Sequence, residues 1–451
     1  MKTNPAKVIA LSFLGLIVLG ALLLKGTPGA VDPLYELSWI DAFFMSTSAV
    51  CVTGLTTVNV GLDFTPLGQG ILLFLMQIGG LGIMTFSLFF MLLLGRKTTL
   101  SSRLSLGTIS RQHDAYSLLH SLGFVFLMTV TFEALGTLLL FLEFKKIHPA
   151  DYAFFSALFH AVAAFCNAGL SLYADNLEGF QRSPAVMAVI MSLIVAGGLG
   201  FCVIEEMRAF VISRFKRERF HWSLHSKITL LTTISLILGG AVFIFVFEQR
   251  NLLAGHDAVT QVMNSLFLSV TSRTAGFNTL STGSLTEATL FFLIFLMIIG
   301  GASGSTAGGI KVGTFSVLAA LVWHQIKGTG SVIMMHRKIP LTVISQALAI
   351  FGASFLLIQI SALLLAVTEC QGAPHGRGAD FLSLLFEVSS AYGTVGLSTG
   401  ITEMLSGAGK GLIILLMFLG RVGPLTVGIA ILTQKRKPLS YEYAEEEVII
   451  G

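Results

Sequence analysis

Thr394-Val395-Gly396-Leu397-Ser398-Thr399 is the stretch on which the reading of this chain turns. Three others share its plan: Thr53-Gly54-Leu55-Thr56-Thr57, Ala168-Gly169-Leu170-Ser171 and Ala275-Gly276-Phe277-Asn278-Thr279. Each sets a glycine before Leu or Phe and follows it with a small hydroxyl or amide residue. The glycines recur roughly every 110 to 120 residues, and a unit repeated in this way predicts a ring with fourfold pseudo-symmetry. Glycine tolerates positive φ, which successive carbonyls need if they are to turn toward one axis. A ring of backbone carbonyls can stand in for the water around a monovalent cation.

The bulk numbers say where such a ring would sit. Hydrophobic residues make up 54% of the chain, charged residues only 12%, and the mean hydropathy is +0.83. A soluble domain carries about twice that charge fraction, so the chain reads as an integral membrane protein. The net charge of +4 is too small to point to nucleic acid, and none is expected as a partner. Cys51, Cys166, Cys202 and Cys370 lack the close spacing of a metal site or a disulfide framework. The first apolar run, Val8 to Leu24, is longer than the apolar core of a signal peptide, and Pro28 spoils the cleavage pattern. It reads as a retained membrane helix.

Each glycine loop is embedded in the same plan: a long apolar run, a short half-apolar helix, the loop, a second long run. The first runs are 8–24, 117–142, 227–248 and 340–368; the second are 66–94, 184–212, 288–323 and 410–433. A spanning helix needs about 20 mostly apolar residues, so eight spans are expected. Ser38–Val50, Tyr152–Phe165, Val259–Thr271 and Phe381–Ala391 are too short to cross and read as re-entrant. Phe44, Phe159, Phe267 and Phe386 precede the glycines at nearly constant spacing. The expected fold class is all-α integral membrane, with four M1–P-loop–M2 repeats, eight transmembrane helices and four re-entrant pore helices around a pseudo-fourfold pore. The repeats are expected at 1–95, 96–213, 214–325 and 326–434, with a cytoplasmic tail at 435–451.

Orientation follows from the basic residues. With the N-terminus inside, most of the 28 Lys and Arg fall on inner segments, among them Arg96, Arg208, the run Arg214–Arg219, Lys311 and Lys435–Lys437. The outer segments hold only Lys25, Lys145, Lys146, Arg182, Arg250, Arg377 and Lys410, and Arg273 and Arg421 lie within the repeats. Both termini are therefore expected in the cytoplasm, with the glycine loops opening outward. The acidic tail Tyr441–Gly451 ends in apolar residues, a pattern that suits docking on protein.

The candidate ion-contacting positions are Val52, Thr53 and Gly54; Asn167, Ala168 and Gly169; Thr274, Ala275 and Gly276; Thr394, Val395 and Gly396. The residue three before the glycine varies (Cys51, Cys166, Arg273, Gly393), so one dominant site at the glycine level and moderate selectivity are expected. Re-entrant helices ending at the ring would present the negative ends of their dipoles to a cation. Arg273 is expected to be held by its own loop's carbonyls or by a nearby acid.

The second runs share a glycine pair: Gly79-Gly80, Gly197-Gly198, Gly300-Gly301, and in the fourth copy Gly420-Arg421. An intramembrane Arg costs about 2.5 kcal/mol or more unless it meets water or a partner, so Arg421 is expected to project into the pore below the ring. In the third copy Gly300, Gly301, Ala302, Ser303, Gly304, Ser305, Thr306, Ala307, Gly308 and Gly309 interrupt a span. Irregular backbone at membrane depth needs protein or water beside it. This segment reads as a flexible intramembrane loop whose carbonyls or hydroxyls Arg421 can bond, the two together forming a gate. It is not a phosphate loop, since Ile310 separates Gly309 from Lys311. No catalytic constellation is present, so no enzyme is expected. His221 and His225 read as loop residues rather than metal ligands, and Glu205-Glu206 as partners of Arg208.

On these loops, on Ser272-Arg273-Thr274-Ala275-Gly276-Phe277-Asn278-Thr279, on the 300–309 segment and on Arg421, the chain resembles the Ktr/Trk/HKT superfamily of potassium transporters, nearest its KtrB branch. The likeness covers nearly the whole chain. The early start of the first repeat separates it from the larger Trk members, which carry an extra N-terminal helical pair. The resemblance implies K⁺ as the transported ion with Na⁺ as a second candidate. It also implies a homodimer with one pore per protomer in the bacterial cytoplasmic membrane, and regulation by a cytoplasmic RCK-type nucleotide-binding ring. The expected function is inward passage of K⁺ through the carbonyl ring, gated by the loop and Arg421. A coupled symporter with alternating access is the alternative; it predicts inverted repeats, whereas these run in one direction.

Overall fold

The computed structural model describes residues 5–95, 112–369 and 380–423. Cys370, Arg377, the basic residues within 96–111, the end of the last apolar run (424–433), Lys435–Lys437 and the tail Tyr441–Gly451 lie outside the described residues.

The first apolar runs are the helices α1 (Pro5–Gly26), α4 (Gln112–Phe144), α8 (Leu224–Glu248) and α12 (Leu341–Glu369). Each is followed by a short helix: α2 (Trp39–Val50), α5 (Ala150–Cys166), α9 (Ala258–Thr271) and α13 (Phe381–Gly393). The short helices have 12, 17, 14 and 13 residues, fewer than a bilayer crossing requires. Polar caps start two of them. The Ser38 hydroxyl accepts the Asp41 amide at 3.1 Å, and the Asp257 carboxylate accepts that of Thr260 at 3.3 Å.

The second runs are α3 (Pro66–Gly95), α6 (Pro184–Leu199) with α7 (Phe201–Lys216), α10 (Glu287–Ile298) with α11 (Val312–Ile326), and α14 (Gly407–Val422). Two of them are not the continuous spans expected. α6 and α7 meet at 104°, because Gly200 takes φ +80° and the Phe201 amide donates to Gly304 O at 3.2 Å. α10 and α11 are separated by the glycine-rich segment. Among the described residues four helices are long and apolar enough to cross a membrane, or five if the bent pair counts as one.

The long helices turn apolar side chains outward: Leu11 is 66% exposed, Leu127 64%, Val242 64% and Leu363 64%. An apolar surface of that extent suits lipid. Inside, Phe44, Phe159, Phe267 and Phe386 are fully buried. Each long helix packs on the short helix that follows it. Each second-run helix also packs on the short helix of the next unit, α3 on α5, α6 on α9 and α10 on α13, and α14 on α2 brings the order back to its start. A small hairpin, β1 (Ile333–Met334) with β2 (Arg337–Lys338), lies between α11 and α12. Its turn residues Met335 and His336 both have positive φ, and the sequence carries none of the usual turn signal there.

Candidate functional site

The short helices end at the four glycine loops. The glycines all take positive φ: Gly54 +98°, Gly169 +66°, Gly276 +78° and Gly396 +94°. The residue two before each does the same, although none is glycine: Val52 +55°, Asn167 +62°, Thr274 +76° and Thr394 +50°. Alternating left-handed residues turn successive carbonyls to the same side. Sequence reasoning found the glycines and missed this second position, which no residue type marks.

The amides of the loops are committed backward to their own helices. Thr53 N–H donates to Ser48 O at 2.8 Å, Ala168 to Ala163 O at 2.7 Å, Ala275 to Thr271 O at 2.9 Å and Val395 to Ser390 O at 2.8 Å. Gly54 and Gly396 donate to the hydroxyls of Ser48 and Ser390 at 3.0 and 3.1 Å. The loops touch in cyclic order. A Cβ on Gly54, Gly169 or Gly276 would lie 2.5 Å from the carbonyl oxygen of Ala168, Ala275 or Val395 respectively, and one on Gly396 would strike Thr53 O. All twelve candidate ion-contacting positions are therefore brought together, and the eight that are not glycine are each at most 1% exposed. The Asn167 amide and Thr274 hydroxyl, 3.3 Å apart, join two neighbouring loops.

The glycines of the second runs rest on the ends of the short helices. A Cβ on Gly79, Gly197 or Gly420 would strike the carbonyl of Val50, Phe165 or Tyr392. Only glycine lets the backbones approach so closely. In the third copy Gly300 faces Gly308 O instead, because there the chain leaves the helix.

That segment is not a loose strand. Ala302 N–H donates to Gly198 O at 2.9 Å and Thr306 N–H to Gly197 O at 3.2 Å, while Gly300 N–H and Ile310 O close its base at 2.9 Å. Of the ten residues 300–309, Ser303 is exposed, Gly309 is half-buried and the rest are buried. The Arg421 guanidinium donates to Thr306 O and, at 3.0 Å, to Gly79 O. It thus ties the loop to α3. Lys311, expected among the inner surface charges, donates to Ala307 O at 2.5 Å and is partly buried. Consecutive loop carbonyls are thus each met by a cation.

Arg273 departs from expectation. It is 7% exposed and donates to Gly300 O at 3.1 Å and Thr233 O at 3.5 Å. Its partners come from α8 and from the base of the 300–309 segment, neither its own loop nor an acid. Glu206 accepts the Ser223 amide at 3.1 Å, and Arg208 lies over the Phe124 ring at 5.4 Å; no ion pair joins the two among the described residues. His225 belongs to the first turn of α8 rather than a loop. No metal-binding group of His, Cys, Asp or Glu is found among the described residues.

Directly outside the loops lies a cavity of about 290 Å³ lined by Gly54, Gly169 and Gly396, by the polar residues Thr56, Ser171, Asn278 and Ser398, and by Asp175, Glu178 and Glu403. Acidic side chains lining a cavity raise the local cation concentration. The sequence hid this grouping because its members come from separate units.

The model of the TrkH family, described as a cation transport protein, matches residues 25–438. The Ktr system potassium uptake protein B of Bacillus subtilis is 37% identical, with 100% of this chain and 98% of that protein covered. The potassium/sodium uptake protein NtpJ of Enterococcus hirae is 34% identical with the same coverage of 100% and 98%. The crystal structure of the potassium transporter TrkH from Vibrio parahaemolyticus superposes with a TM-score of 0.76 at 19% identity, over 96% of this chain and 86% of that one. The chain belongs to the TrkH family of cation transport proteins.

Proposed function

We propose that this chain is the ion-translocating subunit of a K⁺ uptake system, passing K⁺ inward down its electrochemical gradient. The observation that carries the reading is the cyclic contact of the four loops, each glycine set against the carbonyl of the next. Oxygens so arranged replace a dehydrated ion's water shell without a net charge. The relatives named above for potassium uptake, and for potassium/sodium uptake, support K⁺ as cargo and keep Na⁺ as a second candidate.

In this reading the chain forms four M1–P–M2 repeats with eight spans around a pseudo-fourfold pore, divided at 95, 213, 325 and 434. Support comes from the cyclic packing of the second-run helices on successive short helices. The short helices direct their C-terminal dipole ends at the ring, which favours a cation there. The filter is formed by residues 52–54, 167–169, 274–276 and 394–396. Below it the 300–309 loop, pinned by Arg421, obstructs the path and opens when that clamp releases. The subunit acts as a homodimer in the bacterial cytoplasmic membrane with both termini inside, regulated by a cytoplasmic nucleotide-binding ring. Likeness to a protein of a Ktr system supports association with other subunits.

The test is flux into liposomes holding this chain alone. K⁺ and Rb⁺ are expected to pass and Na⁺ to lag behind. Folded protein that leaves K⁺ gradients intact under every condition would end the reading. Flux with a fixed K⁺-to-Na⁺ stoichiometry would replace it with coupled symport.

A further inference from the structure

We propose that His160 and Glu387 are positioning residues of the ion filter, each holding in place the hydroxyl that follows its loop's glycine by two residues. The inference rests on the filter reading above and adds to it a device at the outer mouth.

His160 lies nine residues before Gly169, and Glu387 nine before Gly396. Both are fully buried. Ser171 and Ser398 stand two residues after those glycines. The His160 Nε2 is 2.9 Å from the Ser171 hydroxyl, and Glu387 Oε2 accepts from the Ser398 hydroxyl at 3.0 Å. The two copies agree further. The amide four residues past the glycine donates to that same hydroxyl, Tyr173 to Ser171 at 3.1 Å and Gly400 to Ser398 at 3.0 Å.

The direction of the bonds agrees too. His160 Nδ1 lies 2.7 Å from Ser156 O, which can only accept, so the neutral ring carries its proton there and Nε2 is the acceptor. Ser171 then donates to His160 as Ser398 donates to Glu387. The Glu387 carboxylate takes a second hydroxyl, from Thr402. His160 is fixed from the side by the Tyr173 ring, stacked at 5.0 Å. Ser171 has one competing acceptor, Asn176 O, at 3.3 Å.

The other two copies lack the device. Met45 and Leu268, which follow Phe44 and Phe267 as His160 and Glu387 follow Phe159 and Phe386, occupy the equivalent positions; a thioether accepts only weakly and an alkyl side chain not at all. Asn278 is instead held from outside by Glu178 at 2.9 Å. The mouth of a nearly fourfold ring is thus braced across one diagonal. A carboxylate buried at membrane depth is costly without a role. Here its two oxygens hold the turn that leaves Gly396, so the carbonyls at that level keep their spacing.

The experiment measures K⁺/Na⁺ discrimination, and KM against kcat for K⁺ uptake, in liposomes containing the full chain. Glu387→Leu and Ser398→Ala are each expected to reduce discrimination about tenfold, the scale of one buried hydrogen bond to a charged group. The double variant should lose clearly less than the product of the two single losses, since both remove the Ser398–Glu387 bond. His160→Phe and Ser171→Ala should behave alike in the other copy, and Glu387→Gln, which keeps an acceptor, should retain most of the discrimination. Additive losses would overturn the proposal, as would a lowered melting temperature with discrimination unchanged. If Glu387→Leu does not fold, Ser398→Ala and the His160–Ser171 pair decide the matter by the same criteria. Gly396→Ala separates the two readings. Discrimination that survives it removes the filter itself, whereas discrimination lost there but intact in both latch pairs removes only this inference.

Discussion

Replacing Arg421 with Ala removes both hydrogen bonds by which the guanidinium ties Thr306 O of the loop to Gly79 O of α3. A hydrogen bond to a charged group contributes about 1.5–3 kcal/mol. Taking the lower figure for each, the closed arrangement loses about 3 kcal/mol relative to an open one in which the clamp is already broken. Since 1.4 kcal/mol is a factor of ten, the closed-to-open ratio falls on the order of 150-fold, and flux rises toward its fully open limit. In the proposed reading the change also takes a positive charge out of the cation's path, which acts in the same direction. Arg421→Lys keeps the charge but has one compact ammonium in place of a planar fork. It should retain one of the two bonds and give an intermediate rate. The assay is Rb⁺ or K⁺ uptake into liposomes holding the chain alone, with folding checked by gel filtration and thermal melting. Flux of folded Arg421→Ala equal to that of the native chain would refute the clamp. So would a lysine variant faster than the alanine one.

Gly396→Ala should admit Na⁺, cutting K⁺/Na⁺ discrimination about tenfold: φ is +94° and the new Cβ would lie 2.9 Å from Gly54 Cα, adding to about 1–2 kcal/mol of backbone strain. Competition of Na⁺ with Rb⁺ uptake reads it. Deleting 302–308 should raise flux and abolish gating, and an unchanged rate counts against the loop as an obstruction. Gly200→Val should loosen the loop from the α6–α7 corner, because its Cβ would lie 2.8 Å from Ser303 O; faster uptake with normal ion preference is the expected result. Arg273→Gln should lower the melting temperature by several degrees, through the loss of about 1–3 kcal/mol at Gly300 O.

The sequence by itself determined the features that depend on short stretches of chain. The long apolar runs, the short helices between them and the left-handed glycines follow from hydropathy, length and the absence of a Cβ, and each repeats often enough to be recognised. Arg421 was legible as well, since an arginine amid apolar residues must find a carbonyl or water. Tertiary structure decided the rest. The 104° corner at Gly200 exists because the Gly304 carbonyl, about a hundred residues onward, takes the Phe201 amide. Arg273, whose sequence context predicts a bond to its own loop's carbonyls or to a nearby acid, turns to Gly300 and Thr233 instead. Lys311 was counted among surface charges and covers a loop carbonyl. Left-handed turns at Val52, Thr274 and Thr394 are imposed by the ring on β-branched residues that disfavour them, whereas Asn167 is of a type that takes the turn readily. In each case the deciding group is a backbone oxygen, which every residue carries alike. No residue type along the chain signals where such an oxygen will be brought, so only the packing of distant helices reveals it.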